Sequence, residues 1–584
     1  MGEHTRAGRC QIASGLTPVP ASAFHPGNAR TLSRRSFLRR AASTTAAVSA
    51  LDFLSYFNAY GMPAESRDTA ASRDKAREGD NPHFLIYWYV EGGWESYDMF
   101  SPVVTPNNVV DRLAPERMSE ETYRVLKFGE PGYGIYQQGP IRYGYLADGG
   151  KGLFPDMAVL SSMETGEFHS GDRLRVHMGS YKFTLQADRE EDERSVMQAF
   201  AEVYGQPYVM PNLSWHYWLS DGELNEQQYT GRKGYYANLG PTWAHTLYAG
   251  TPANLKSFLL RMQAASTDTV NQQIERFLDD MKPSLGKDSD VEVIKSFEAA
   301  SDAYRSLSNR GSALDRGMLT RLFADPDLRA RFDIQPADEL ITYRSVNGNK
   351  ARSKFSPAVN VQAMMTYEMM RAGLSCAFFI ETRNIREFDS HFSRSALWAA
   401  DRRTPRGQPD QTNMMHEQLW KPLNTLVELL KSTQYKNTGK SLWDLTTIVL
   451  TSEFGRTIRG DVDAIRSLKI SDEEKQKMID GQDISQHWKV TSAAFLGGKV
   501  KGNSQYGGVG EKTLLPIPLM PDGAMDSAFD NVTGLVRPGQ SASASASIPD
   551  HGDVYATALY LADIEPKGHG RNSRPPLRYI KKAT

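Results

Sequence analysis

Histidine and carboxylate side chains recur just after the short apolar runs of this chain. Behind Phe84–Val90 come Glu91, Glu95, Ser96 and Asp98. Behind Met157–Leu160 come Glu164, Thr165, Glu167, His169, Ser170, Asp172 and His177. Behind Cys376–Ile380 come Glu381, Glu387, Asp389 and His391, and behind Thr446–Thr451 come Ser452, Glu453, Arg456 and Arg459. Asp483 and His487 follow, then Asp550, His551 and Asp553. Imidazole mixed with carboxylate suits zinc, manganese or iron, while magnesium and calcium prefer oxygen. A pair of such metals orients water and offsets charge on a phosphate or sulfate ester. Each position also has a purely structural reading. Glu453 would cap a helix starting at Gly455, and Asp98 a turn before Met99. Asp389 and His391 would flank one residue of a surface strand. His487 would pack beside Trp488, His551 and Asp553 would open a helix, and His169 would hydrogen-bond within a loop. Recurrence at strand ends is what points to a site, because ligands of open α/β sheets bind beyond the carboxyl ends of the strands.

The elements that must position these groups follow from the hydrophobic pattern. The continuous run Phe84-Leu-Ile-Tyr-Trp-Tyr-Val90 reads as a buried central strand closed by the turn Glu91-Gly92-Gly93-Trp94. Met157–Leu160, Cys376–Ile380, Thr446–Thr451 and Ser492–Leu496 read as further strands. Helical spacing appears over 360–373, 416–432 and 551–563. Strands alternating with amphipathic helices predict an α/β fold: a mostly parallel sheet with helices on both faces. Residues 188–350 carry largely helix-like spacing and read as a helical insertion or cap. Residues 504–540 are Gly/Pro-rich, and Ser541–Ser547 is a low-complexity spacer. The expected divisions are a core in two parts, 82–187 and 351–563, the insertion between them, and a basic tail over 564–584.

The N-terminal part is different in kind. Ser33-Arg-Arg-Ser-Phe-Leu-Arg39 precedes a weakly apolar, small-residue stretch over 41–51. Basic, then mildly apolar, then small is the order of an export signal, here of twin-arginine type. The alternative is a basic N-terminal helix that is never processed. Cleavage after Ala64 would leave a charged leader over 65–81. The expected partner is the twin-arginine export machinery, which carries folded proteins, and the destination is the periplasm or the exterior. The chain has 584 residues, with 68 Lys plus Arg against 69 Asp plus Glu, so nothing favours a nucleic-acid partner. No apolar run reaches the ~20 residues of a membrane span. The 2 cysteines, Cys10 and Cys376, would be reduced to one by processing, which excludes cysteine-based metal clusters.

Several segments, taken in order, resemble a bacterial family. They are the twin-arginine start, Gly92-Gly93-Trp94-Glu95-Ser96-Tyr97-Asp98, Phe388-Asp389-Ser390-His391, Thr451-Ser452-Glu453-Phe454-Gly455-Arg456-Thr457, His487-Trp488 and Gly497–Gly502. This order resembles the family named domain of unknown function 1501, which is similar to the alkaline phosphatase and sulfatase superfamily. The resemblance spans most of 83–563, with 188–350 matched poorly. It implies an alkaline-phosphatase-like fold and a divalent metal (zinc, manganese, magnesium or calcium) on Asp98, Asp389, His391, Glu453 and His487. His177 matches a histidine the family often carries in the following helix. The sequence departs from the superfamily where Glu453-Phe454 stands for Asp-His, which loses a histidine ligand. Neither Thr165 nor Ser170 sits in a recognisable nucleophile motif.

Two functions stay open on these residues. One is a metal-dependent hydrolase of phosphate or sulfate esters, with Thr165 as nucleophile and Arg456 on the ester oxygens through its planar fork. The other is a non-catalytic envelope or binding protein, recognising a small molecule or glycan through the helical region and Trp215-His-Tyr-Trp218. An oxidoreductase is disfavoured, since no Gly-x-Gly-x-x-Gly follows the first strand.

Overall fold

A computed structural model describes residues 82–102, 135–166, 172, 175–177, 179, 195–215, 244, 246–265, 276, 314–339, 341–344, 353–382, 415–456, 471–472, 487–511, 515–566 and 574–583. At its centre is an eight-stranded sheet. In chain order its strands are β1 (Phe84–Val90), β2 (Met157–Glu164), β3 (Asn212–Ser214), β4 (Leu247–Tyr248), β5 (Ala377–Thr382), β6 (Thr446–Ser452), β7 (Val490–Gly497) and β8 (Ser504–Tyr506). The spatial order is β8-β2-β7-β6-β1-β5-β3-β4. Every strand runs one way except β7, which is antiparallel to both β6 and β2. The sheet is thus mostly parallel, as expected, with one antiparallel strand making it mixed. The direction of β7 is set by the chain's return through the short ladder of Gly455–Arg456 with His487–Trp488.

β1 is central because every one of its residues is apolar and buried. At ~1.5–3 kcal/mol for each large side chain removed from water, this strand alone anchors the core. Alternation divides its neighbours between two faces. Phe378 of β5 stacks on Trp215 at 6.3 Å, and Trp215 Nε1 donates to Thr366 Oγ1 at 2.9 Å. Phe379, the next residue, turns instead toward Tyr87 and Tyr89, with ring centroids 6.1 and 6.0 Å away.

Helices cover both faces. In chain order they are α1 (Val196–Tyr204), α2 (Pro252–Ala265), α3 (Arg316–Arg321), α4 (Pro326–Arg331), α5 (Val359–Arg371), α6 (Lys421–Ser432) and α7 (His551–Leu561). α5 and α6 pack together on one side of the sheet, and α1 and α7 on the other. A five-residue π-helical turn, His416–Trp420, leads into α6. Between α1 and α5 lie helices α2 to α4, as the helical spacing anticipates. The same region also supplies β3 and β4, which extend one edge of the sheet. These strands are 3 and 2 residues long and carry no apolar run that would mark them. Trp215 is fully buried, so this member of the aromatic segment belongs to the core rather than to a recognition surface.

Candidate functional site

The carboxyl ends of β1, β2, β5 and β6 open on the same edge. The chain leaves β1 through Glu91-Gly92-Gly93, where Gly92 and Gly93 have φ of 104° and 73°. Only glycine takes these values without strain. A Cβ on Gly93 would also collide with the Phe454 ring.

Residues after β6 clasp this turn. Gly92 N donates to Glu453 Oε1 at 3.1 Å, and Tyr89 Oη donates to Glu453 Oε2. Trp94 N donates to Ser452 Oγ at 3.0 Å, and Ser452 Oγ donates to Val90 O at 2.7 Å. Arg456 Nε donates to Gly93 O at 3.1 Å, and its Nη2 to Gly92 O. The Arg456 guanidinium also lies 5.3 Å from the centroid of the Phe454 ring. Gly455 approaches the Val490 carbonyl so closely that a Cβ there would collide with it. The hexapeptide Ser452–Thr457 therefore has a local structural reason for Ser452, Glu453, Gly455 and Arg456. Glu453 caps no helix; a two-residue strand follows it.

The other sequence-derived candidates fall as follows. Asp98 is buried in the turn after Gly93, where its N donates to Glu95 O at 2.9 Å and its carbonyl accepts from Leu146 N at 3.0 Å. Thr165 is buried, its N donating to Lys489 O at 2.7 Å and its Oγ1 to Gly166 O at 3.1 Å. Asp172 accepts from Gly166 N at 2.8 Å and from Arg175 Nη1 at 2.6 Å. The His177 ring packs on Phe379 with centroids 4.2 Å apart and lies 6.2 Å from Tyr89. His487 is half-buried; it pairs with Arg456 in the short ladder and lays its ring 4.2 Å from that of Phe454. Asp389 and His391 lie outside the described residues, as do His169 and Ser170. Among the described residues no three of His, Cys, Asp or Glu come together as a metal ion requires. Asp98, Glu453 and His487 thus do not form a metal site among themselves.

The structure adds His551, which the strand-end pattern includes but the ligand set does not. It is the first residue of α7, after Asp550. The Asp550 side chain accepts from Gly552 N at 2.7 Å, while Asp553 Oδ2 accepts from Asp550 N at 2.8 Å, a reciprocal capping box. Arg574 Nε donates to Asp550 Oδ2 at 3.0 Å and fixes this cap from outside. His551 Nε2 lies 3.1 Å from the Glu453 carbonyl oxygen. A carbonyl only accepts, so Nε2 carries the proton and Nδ1 keeps its lone pair. Burial, the largest cause, lowers the pKa of His551 to about 4, which keeps the ring neutral. Burial and then the neighbouring Asp550 push Asp553 up to about 7. A helix start is legible at Asp550-His551-Gly552-Asp553. Which ring nitrogen is left with a lone pair is not, since Glu453 is far away in sequence.

What these elements define is an open mixed α/β sheet, helix-covered on both faces, with a buried polar edge at its carboxyl ends. No known family model matches the chain, and no curated protein matches it. Among solved structures, the chain is similar to the lipoteichoic acid synthase LtaP from Listeria monocytogenes. That likeness has 9% identity and a TM-score of 0.28, over 83% of this chain and 78% of that one, which is too slight to bear on chemistry.

Proposed function

We propose that the protein is an exported hydrolase of phosphate or sulfate esters, working at the carboxyl edge of its sheet. The observation that supports this most is the burial of several ionisable side chains at or near the carboxyl ends of the strands. Glu91, Glu95, Asp98, His177, Glu381, Glu453 and His551 are all buried, Glu91 and Glu453 following strands and Glu381 near the end of one. Desolvated acids and histidines cluster at functional sites more often than elsewhere, because burial tunes their proton affinity. In this reading Thr165, at the end of β2, supplies the nucleophile. Its backbone N donates to Lys489 O at 2.7 Å, and its hydroxyl donates to Gly166 O at 3.1 Å, a bond that attack would release. A divalent ion (zinc, manganese, magnesium or calcium) would neutralise ester charge when bound. It would have to rest chiefly on Asp389 and His391, with Asp98, Glu453 or His487 completing the set. The export half of the reading is supported by Arg34-Arg35 and the small-residue stretch that follows. It places the mature chain in the periplasm or outside the cell, delivered by the twin-arginine machinery.

A second reading, a non-catalytic envelope or ligand-binding protein on the same scaffold, is favoured by a specific observation. The Glu453 carboxylate and the Arg456 fork are both engaged on the Gly92–Gly93 turn, which is structural work. The mature chain purified without chelator decides between the two. The hydrolase reading expects turnover of aryl phosphates or sulfates, bound divalent metal, and loss of both on Asp389→Ala with His391→Ala. Absence of metal together with no turnover across the ester panel would leave the binding-protein reading.

A further inference from the structure

We infer that Lys440, Lys499 and Lys581 form a binding site for a small oxyanion, phosphate or sulfate, at the amino edge of the sheet. This site is separate from the carboxyl edge and does not rest on the hydrolase reading. Its surroundings come from distant parts of the chain. His83 immediately precedes β1, and Lys440 lies shortly before β6. Lys499 follows β7, which runs against its neighbours and so ends at this edge. Asp563 lies just beyond α7, and Lys581 belongs to the C-terminal segment. That segment pairs with the residues after β7. Val500 and Lys581 are antiparallel bridge partners, Lys582 N donates to Lys499 O at 2.9 Å, and Lys501 N donates to Ile580 O at 2.8 Å. The backbone thus holds lysines of two distant segments close together.

One carboxylate serves both ammonium groups. Lys499 Nζ donates to Asp563 Oδ2, and Lys581 Nζ donates to Asp563 Oδ1 at 2.6 Å. Lys499 Nζ also lies 3.3 Å from His83 Nε2. Lys581 Nζ donates to Tyr560 O at 2.9 Å and stands 4.3 Å from the centroid of the Tyr560 ring. An ammonium has three N–H donors, so each lysine keeps one that meets no oxygen or nitrogen among the described residues. The cluster is open to solvent, with the Lys499 side chain 28% and that of Asp563 45% exposed.

Positive charge is left over as well. The charges acting most strongly on His83 are Lys499, Asp563, Lys440 and Lys581, three cations against one anion. Lys499 feels the same set: burial lowers its pKa most, Asp563 opposes this, and Lys581 and Lys440 add to the lowering. Burial and then Lys499 bring His83 down to about 3, so the ring is neutral and offsets nothing. Three lysines less one aspartate leave two positive charges, and a doubly charged sulfate or hydrogen phosphate would bring the set to neutrality. The geometry fits the same ions. Lys499 and Lys581 already span the two oxygens of a single carboxylate. Two oxygens on one sulfur or phosphorus are similarly spaced, and lysine binds such groups as a point charge.

Calorimetric titration of the full chain with sodium sulfate and sodium phosphate, against sodium chloride at equal ionic strength, tests the site. Saturable one-to-one binding of sulfate or phosphate, and not of chloride, is expected. Lys499→Met and Lys581→Met are each expected to raise Kd about tenfold or more, the loss of one charged hydrogen bond. Lys421→Met removes an equal charge at the start of α6, where Asp333 and Glu417 pair it, and is expected to leave Kd within about twofold. An ion that binds both cluster variants with wild-type affinity sits elsewhere, at the carboxyl edge for instance, and overturns the assignment. If those variants do not fold, the exposed Lys440→Met decides: about a threefold rise in Kd supports the site, and no change overturns it. A wild type that binds neither oxyanion more tightly than chloride overturns the proposal without any variant. Co-sedimentation with phosphatidylglycerol vesicles that Lys499→Met abolishes would assign the phosphate to a lipid headgroup; without it the ligand is the free ion, and the site stands in both cases.

Discussion

At the scale of single residues, Arg456 shows how a chemically suggestive side chain acquires a structural duty. The planar fork that suits an ester's oxygens instead reaches two successive backbone carbonyls, Gly93 O and Gly92 O, in a position that is 1% exposed. Hydrogen bonds to a charged group are worth about 1.5–3 kcal/mol each, and both acceptors would be left buried. Arg456→Ala is therefore expected to destabilise the fold by roughly 3 kcal/mol or more. Urea denaturation checks this, and a variant as stable as the wild type would show that the clasp contributes little. Arg456→Lys is expected to recover only part, since an ammonium lacks the fork geometry. From the sequence, the Ser-Glu-Phe-Gly-Arg-Thr segment reads as chemistry because its residue types are those of a site. What cannot be read is that its partners stand 361 residues away at Gly92, so that charge and glycine are both explained by one turn. His551 is the reverse case. Its helix-start position is plain from Asp550 and Asp553, while the state of its ring depends on a carbonyl that only the fold brings near.

At the scale of elements, the apolar runs transfer directly to strands. Phe84–Val90, Met157–Leu160, Cys376–Ile380, Thr446–Thr451 and Ser492–Leu496 each lie in or overlap a strand of the sheet. The helical patterns over 360–373 and 551–563 likewise become α5 and α7. The direction of β7 and the edge strands β3 and β4 do not transfer. Direction depends on how the chain returns rather than on its hydrophobic pattern, and a strand of 2 or 3 residues is too short to show alternation. The β1 turn is where an element meets the site. Gly93→Ala would meet both an unfavourable φ and the Phe454 ring. It is expected to cost about 1–3 kcal/mol and to loosen the Glu453 clasp. Thermal unfolding of the purified variant checks the first part. Unaltered hydrogen exchange at Gly92 N would contradict the second.

At the scale of the whole molecule, buried ionisable groups set the pH range in which the fold is secure. Burial, the largest cause, lowers His83 to about 3 and His551 to about 4. Each ring is neutral when folded but takes a proton once unfolded, so the stability tied to it is present above ~6.5 and lost as pH falls toward the folded values. Asp553, raised to about 7, has the opposite sign. Its contribution is fully present below 3.8 and is lost progressively as pH rises from there through about 7. Two histidines against one aspartate give a net loss in acid, so the thermal midpoint is expected to fall between pH 6.5 and 4. Asp553→Asn keeps the acceptor for Asp550 N and removes the charge. It is expected to raise the midpoint at pH 8 clearly more than at pH 5, because the cost of the buried carboxylate accrues from 3.8 up to about 7. Equal shifts at both values would show that Asp553 carries no special burden. Among the described residues no helix is long and apolar enough to cross a membrane.

The position of β1 in the sheet has a consequence for how the chain is made. The first of the described strands in chain order is flanked in the sheet by β6 and β5, and the contacts that close its turn span 361 residues. At ~5–20 residues per second, translation needs on the order of 20–70 s to supply them. For most of that interval Phe84–Val90 stands as seven apolar residues without either neighbour, β5 being made before β6. Until the C-terminal half emerges, this segment is the part of the chain most open to mispairing. A chain truncated before β6 would be a substrate for aggregation or proteolysis rather than a smaller working protein.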